Sequence, residues 1–328
     1  MNAVAVTARQ LHILIIGCGN AARMHSRVLR RIGGVSLSYA SRDGVRAAEL
    51  CKMFNGRRAF ASYASGLSDD SVDCVLIATP TAFHCELALQ AIAAGFDVII
   101  EKPAFMSSCE ADLVIRTATA AKRKVMVAEN YFYKPITKYL RELIGTGSLG
   151  EIRHVTIDAR KRQRIEGWRA VPALSGGGAL FEGGVHWISF AANIGLAVRQ
   201  VSGVVTGGRP GCDTSTIVSI DYETGATGTL THSWTSPAPL GHIRVSKVVG
   251  TAGTVVFESN GLAHSTSGPA RSVGFYIARD PFGYRTMLND FLGTLRGEGQ
   301  PQFTLAMARR DIELLEQVAR GPHDSGSW

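Results

Sequence analysis

Six cysteines, at positions 18, 51, 74, 85, 109 and 212, are spread so that no two form a C-x-x-C pair. Their spacing argues against a zinc frame or a disulfide scaffold and for reduced thiols, with Cys18 and Cys74 expected in buried turn and strand positions. No apolar run approaches the roughly 20 residues that span a bilayer, so no membrane partner is expected. Met1 to Gln10 lacks the charged start, apolar centre and cleavage site of a secretory signal, and the expected location is cytoplasmic. Internal repeats and low-complexity segments are absent too. Acidic residues are in the minority, 27 against 35 Lys and Arg, for a net charge of +8. That excess could serve nucleic acid, yet neither aromatic interleaving nor a recognition motif accompanies it. Handling of anionic cofactors accounts for it equally well, and no nucleic-acid partner is expected. With 45% hydrophobic and 19% charged residues over 328 positions, the composition is globular and the length suits two domains.

What is present is organised around Ile13-Leu14-Ile15-Ile16-Gly17-Cys18-Gly19-Asn20-Ala21-Ala22. An apolar run stops at two glycines one residue apart, and helical periodicity begins at once. Ala21, Met24, His25, Val28, Leu29 and Ile32 recur at the spacing of one helix face. Strand, tight turn and helix in that order give a G-x-G-x-x-G/A pattern its meaning. Gly17 permits the turn, Gly19 lets the backbone approach a pyrophosphate, and Ala22 is small enough for close helix–strand packing. The helix N-terminus, at Asn20 and Ala21, offers N–H groups and partial positive charge to phosphates. A buried strand with a glycine turn and no ligand is the plain alternative.

Further strands alternate with helices. Val35 to Ala40 ends at Ser41-Arg42-Asp43, Val72 to Ala78 at Thr79-Pro80-Thr81, and Asp97 to Ile100 at Glu101-Lys102-Pro103. Phe83 to Ala94 and Ala111 to Lys122 read as helices, and Val125 to Ala128 as a last strand. This alternation predicts an α/β doubly wound parallel sheet, whose ligands bind at the carboxyl ends of the strands. Gly17, Ser41, Thr79, Pro80, Glu101 and Lys102 all fall there, and His84 follows in the next helix. Ser41 stands where an Asp or Glu would bind the ribose of NAD. Ser41 can hydrogen-bond to a 2′-phosphate and Arg42 can pair with it, so NADP is the preferred cofactor and NAD the alternative. A strand two residues longer would put Asp43 at that position and select NAD. Lys102 is either a solvated lysine or, desolvated beside a nicotinamide, a group that exchanges or orients a substrate proton.

A second glycine-rich stretch, Ser175-Gly176-Gly177-Gly178-Ala179-Leu180-Phe181-Glu182-Gly183-Gly184-Val185-His186, leads into a predicted helix with Glu182 and His186 at i, i+4 spacing. Together with Gly17-Cys18-Gly19, Thr79-Pro80 and Glu101-Lys102-Pro103, it resembles the glucose–fructose oxidoreductase/inositol dehydrogenase/MocA (Gfo/Idh/MocA) family of nicotinamide-dependent oxidoreductases. The resemblance runs from about Leu11 to the final helix. It implies a Rossmann domain over 9–130 and an α+β domain with a large open, mainly antiparallel sheet over 131–328, the closing helices packing back on the Rossmann domain. It also implies that an Asp and a His of the second motif work with the lysine of E-K-P. His186 matches that histidine, Glu182 replaces the usual Asp, and Ser189 stands where another Asp is common. Lys102, His186 and Glu182 are thus the expected catalytic set. The family further implies an aromatic facing the nicotinamide, here Tyr131, and a tryptophan lining the substrate pocket, here Trp168 with Arg169 beside it.

From the residues alone, Tyr131 is equally a packing residue, and position alone favours His186 as an interior histidine. A Glu182–His186 metal pair lacks a third ligand, and no metal is expected. Arg160-Lys161-Arg162-Gln163-Arg164 is a solvated loop or one that attracts an anion. Strands are predicted over Glu151–Ala159, Val201–Thr206, Thr216–Tyr222, Gly228–Trp234, Ile243–Val249 and Thr254–Phe257. Helices are predicted over Tyr284–Leu295 and Leu305–Val318, with Asp311, Glu313 and Glu316 facing away from the apolar stripe. One sheet face would meet helices and the other would pair with another copy, giving a homodimer or homotetramer. The expected activity is hydride transfer between NADP and a carbinol or keto carbon of a sugar, cyclitol or related polyhydroxy compound. An enzyme with an internally recycled cofactor and a catalytically inactive NADP-sensing regulator are the alternatives.

Overall fold

The computed structural model describes residues 9–209, 211–238, 243–278 and 280–320. The chain falls into two compact units. The first takes in the chain up to Ala104, Glu110–Ala128 and Tyr284–Leu305; the second takes in Phe105–Cys109, Glu129–Gly283 and the chain from Ala306.

In the first unit, β1 (Leu11–Ile16) is buried at every position, as a strand covered on both faces must be. Next, α1 (Asn20–Ile32) buries Ala22, His25, Ser26 and Leu29, a single stripe at three- and four-residue spacing. Then follow β2 (Val35–Ala40), α2 (Gly44–Met53), β3 (Ala59–Phe60), α3 (Tyr63–Leu67), β4 (Cys74–Ile77), α4 (His84–Ala93), β5 (Asp97–Glu101), α5 (Ser108–Ala121) and β6 (Val125–Ala128). The strands form one parallel sheet in the order β3-β2-β1-β4-β5-β6. Ile16 pairs with Ala40 on one side and Ile77 on the other, so the carboxyl ends lie in line. The chain winds outward from β1 in both directions, and the β1/β4 boundary is the switch point where such sheets open a crevice.

The second unit contains α6 (Pro135–Gly145), β7 (Ile152–Arg160), α7 (Pro172–Ser175), α8 (Val185–Ala192), β8 (Val198–Arg209), β9 (Cys212–Tyr222), β10 (Thr227–Ser233), β11 (Val245–Gly250), β12 (Thr254–Glu258), β13 (Ala263–Ser267) and β14 (Ser272–Phe275). Its eight strands run in the order β14-β13-β12-β11-β7-β10-β9-β8, antiparallel throughout except for β7 against β10. Helix α9 (Tyr284–Leu295) belongs to the first unit, and α10 (Leu305–Arg320) joins the second from Ala306. Strand β10 shows the alternation that makes a one-sided sheet: Gly228, Leu230 and His232 point inward, while Thr227 is exposed. Leu230 packs in a core with Val185, Ile188, Val218, Phe257 and Ile312, each such side chain contributing about 1.5–3 kcal/mol.

Three features depart from expectation. The short polar strands β13 and β14 carry no strong apolar alternation and were not anticipated. Leu180–Gly184 is one turn of π-helix, and the regular helix starts only at Val185, so the i, i+4 argument for Glu182 and His186 assumed the wrong local geometry. Asp311 is buried rather than facing away, because it neighbours Ile312 and lies one turn from Ala308 and Leu315 on the core stripe. Arg310 pairs with it at 2.7 Å, and burial still raises its carboxyl to about 6. Among the described residues, no helix is long and apolar enough to cross a membrane.

Candidate active site

The first unit gathers its motif residues at the carboxyl edge of the sheet. At Gly17, with φ at +93°, an added Cβ would lie 2.6 Å from the Ala78 carbonyl oxygen, so only glycine lets β1 turn this close to the end of β4. At Gly19 an added Cβ would meet nothing within 4 Å. Gly19 is the N-cap of α1, without a side-chain cap, and the first turn holds no acidic residue. The N–H groups of that turn, from Asn20 to Ala22, are therefore open to an anion. Strand β2 ends at Ala40, which leaves Ser41 buried and Arg42 exposed just beyond it. Asp43 is otherwise engaged: its carboxylate accepts the Val45 N–H at 3.1 Å and pairs with Arg46 at 3.2 Å. The Arg42 guanidinium lies 5.1 Å from the centre of the Phe83 ring.

His84 is buried, with Nδ1 2.9 Å from the Pro103 carbonyl and Nε2 2.9 Å from the Thr79 carbonyl. It ties two strand-end loops together and so supports the edge from inside, instead of presenting a group to a ligand as the sequence suggested. Burial lowers its pKa. Glu101 is also employed internally. One carboxylate oxygen meets Nε2 of the fully buried His25, and the other accepts the Lys102 N–H at 3.0 Å. That clamp fixes the backbone from which Lys102 projects. A groove of about 410 Å³ lined by Arg9, Asp73, Asp97 and Arg123 lies at the opposite, amino edge of the sheet, away from the motifs.

The second unit assembles a different set. Glu129, immediately after β6, is 2% exposed and accepts from His186 Nδ1 at 2.8 Å and from the Tyr131 N–H at 3.0 Å. The Tyr131 ring stacks on His186 with centres 4.4 Å apart and planes 12° from parallel, and meets Trp187 edge-on. Nδ1 as donor to Glu129 puts the lone pair of the neutral imidazole on Nε2, the tautomer a general base requires. Glu182 accepts from Arg169 Nε at 2.9 Å, and the Arg169 guanidinium lies 4.7 Å from the centre of the Trp168 ring. The expected substrate residues thus fall into two groups, Tyr131 with His186 and Trp168 with Arg169 and Glu182. The π-turn between them carries Gly183, where a Cβ would come 2.8 Å from the Trp234 indole.

These features match known proteins along most of the chain. Residues 11–129 match a family described as oxidoreductases with an NAD-binding Rossmann fold, and residues 137–256 match the Gfo/Idh/MocA C-terminal domain. The chain belongs to the Gfo/Idh/MocA family. It is 30% identical over 203 residues to D-xylose 1-dehydrogenase (NADP(+)) 2 of Haloferax volcanii, covering 61% of this chain and 62% of that one. It is 28% identical over 191 residues to D-glucoside 3-dehydrogenase of Escherichia coli, covering 57% and 54%. In both cases the match spans less than two thirds of the relative. GenD2 from gentamicin A biosynthesis, solved in complex with NAD, superposes with a TM-score of 0.85 over 99% of this chain and 98% of its own, at 24% identity, a likeness of fold.

The family's NAD-binding fold can be tested on this chain's own residues. The open backbone at Gly19, the uncapped start of α1 and the absence of an acidic residue in its first turn fit a pyrophosphate. Gly17, Gly19 and the N–H groups of Asn20, Ala21 and Ala22 would hold it, with Ser41 and Arg42 at the ribose end.

Sequence reasoning missed three contributors. Glu129 obeys the same strand-end rule as Ser41 and Glu101, applied to β6, and could have been found. His232, buried with neither ring nitrogen hydrogen-bonded and brought down to about 3 by burial, left no sequence signal; neither did Lys134, whose buried Nζ lies 3.3 Å from the centre of the Tyr131 ring.

Proposed function

We propose that the protein is an NADP-preferring dehydrogenase or reductase acting on a carbinol or keto carbon of a sugar, cyclitol or related polyhydroxy compound. The Glu129–His186 pair carries the proposal: a buried carboxylate orients a partly exposed imidazole with its basic nitrogen at Nε2. In the oxidising direction His186 takes the hydroxyl proton, and Glu129 stabilises the imidazolium that forms. Lys102 hydrogen-bonds the oxygen as negative charge develops on it. A bound nicotinamide supplies the hydride acceptor for oxidation and the hydride donor for reduction. Trp168, Arg169 and Glu182 offer a stacking face and hydrogen-bonding groups suited to a polyhydroxy substrate. The NADP preference is supported by Ser41 and Arg42 beyond β2, by the engagement of Asp43 with α2, and by Arg23 and Arg46 close enough to influence the neighbouring Cys18 thiol. The sugar class is supported by the names of the two relatives. A cytoplasmic homo-oligomer fits as well: Val204, Val273 and Phe275 leave apolar surface on the eight-stranded sheet.

The test is nicotinamide absorbance with NADP or NAD and a panel of polyols, inositols and sugar phosphates, with Lys102→Met as blank. A substrate-dependent signal lost in the blank, with cofactor binding intact, is expected. Near-normal turnover by Lys102→Met would remove Lys102 from the mechanism. Product formed without net NADPH would identify internal recycling, and a flat trace in both directions would favour a sensor.

A further inference from the structure

Lys134 caps the N-terminus of α6, directly before Pro135. A cation there opposes the helix dipole, and this one is also buried, 1% exposed. Its Nζ makes no hydrogen bond. It lies 3.3 Å from the centre of the Tyr131 ring and 5.7 Å from that of Trp187. Glu129, after β6, and Glu258, on β12, attract the ammonium; Arg244, ahead of β11 and itself buried, repels it. Desolvation outweighs the attraction and brings the amine down to about 7. A buried ammonium without a hydrogen bond costs stability, so packing alone would favour an apolar side chain of similar volume.

The same Tyr131 ring stacks on His186 at 4.4 Å, which puts Lys134 Nζ within about 8 Å of the imidazole. Burial keeps Tyr131 protonated. Two further titratable groups act on this set from other elements. His232 on β10 lies near enough to His186 to be affected by it, and Asp311 on α10 near enough to Glu129. The first is held neutral by burial; the second, raised to about 6, acts through Glu129 and is an acid, so Lys134 is the cation of this set that changes charge near neutrality.

We propose that Lys134 is a positioning residue for His186: its amine, seated on the Tyr131 ring, sets how readily the Glu129–His186 pair holds a proton. As an ammonium it disfavours the imidazolium; as a neutral amine it does not. The kinetic consequence rests on the dehydrogenase proposal, whereas the protonation of His186 does not.

The experiment is histidine-ring NMR titration of the full chain, with His186→Gln to assign the signal. Lys134→Met removes the positive charge at every pH, and the His186 midpoint is expected to rise by about one pH unit. Lys134→Arg keeps the charge, so the midpoint is expected to stay or fall. A midpoint unmoved in Lys134→Met, or raised alike in both variants, would overturn the proposal. Should Lys134→Met fail to fold, lysine NMR of the unmodified protein decides: a Lys134 midpoint near 7 supports the proposal, and one in the ordinary lysine range overturns it. Where turnover is measurable, kcat of Lys134→Met falls several-fold at pH 6.5 and recovers by pH 9. If no substrate turns over, the dehydrogenase proposal fails while the His186 titration still decides the role of Lys134.

Discussion

Among the described residues each unit holds a histidine–glutamate pair beside the end of a strand, and the two are built in opposite senses. In the first, the His25 side chain is wholly buried and Glu101 is 10% exposed; in the second, His186 is 13% exposed and Glu129 only 3%. Glu101 divides its two oxygens between an imidazole and a backbone N–H, so it locks a turn of the chain. Glu129 directs both oxygens at one imidazole, with the Tyr131 N–H sharing the first. A carboxylate spent on backbone acts as a clamp. A buried carboxylate spent on a reachable imidazole biases a proton. The same two residue types therefore give architecture in one unit and chemistry in the other, and burial of the imidazole decides which.

Glu129→Gln should produce the largest effect. The carbonyl oxygen of the introduced amide can still accept from both His186 and Tyr131, while its NH2 group replaces an oxygen 3.0 Å from His186 Nδ1 and the charge that stabilises the imidazolium is lost. We expect kcat to fall about 10³-fold, beside a stability loss of about 2 kcal/mol at most. Steady-state kinetics on a member of the polyol and sugar panel that turns over, beside a thermal melt, measures this; a loss under threefold would make Glu129 a clamp like Glu101.

The second unit also buries Asp311, which gives a pH test of the same contrast. Its carboxyl, 3.8 ordinarily, is raised to about 6 by burial, only partly offset by Arg310 and Ser189. Between those values the folded chain binds more protons than the unfolded one, so stability falls as pH rises from about 4 to 6 and then levels. The span corresponds to about 3 kcal/mol. Denaturant melts across that window should show the slope, and Asp311→Asn should flatten it. An unchanged slope in the variant would assign the effect to another group.

The first unit was largely legible in the sequence because its site residues are consecutive with strands that announce themselves. An apolar run followed by Gly17-Cys18-Gly19, or by Glu101-Lys102, marks both the element and its end. The second unit was legible only in part. His186 was found through a motif, but its partner Glu129 lies 57 residues earlier, and the stacking of Tyr131 on the imidazole is tertiary. Lys134 carries no signal in the sequence beyond the proline after it; its surroundings are tertiary, with Trp187 beside it and Arg244 and Glu258 close enough to act on its charge. Gly183 and Gly184 read as the start of a regular helix, whereas close approach to Trp234 accompanies a π-turn. Asp311 reads as solvent-facing by residue type, whereas its position one turn from Ala308 and Leu315 buries it.

The smallest of the three effects belongs to the clamp. A glutamine in place of Glu101 would have one acceptor oxygen where the carboxylate has two, so either His25 or the Lys102 N–H would face an amide donor inside the protein. One buried donor left unsatisfied costs about 2 kcal/mol. Glu101→Gln should therefore lower the denaturant midpoint without shifting the pH dependence of kcat, since Glu101 spends its charge on holding the chain. A pH profile displaced as strongly as that of Lys134→Met would mean that Glu101 also governs a proton, and the contrast between clamp and base would collapse. An unchanged midpoint with an unchanged profile would show instead that the chain around Lys102 is held by His84, which joins the Pro103 carbonyl just after it to the Thr79 carbonyl at the end of β4.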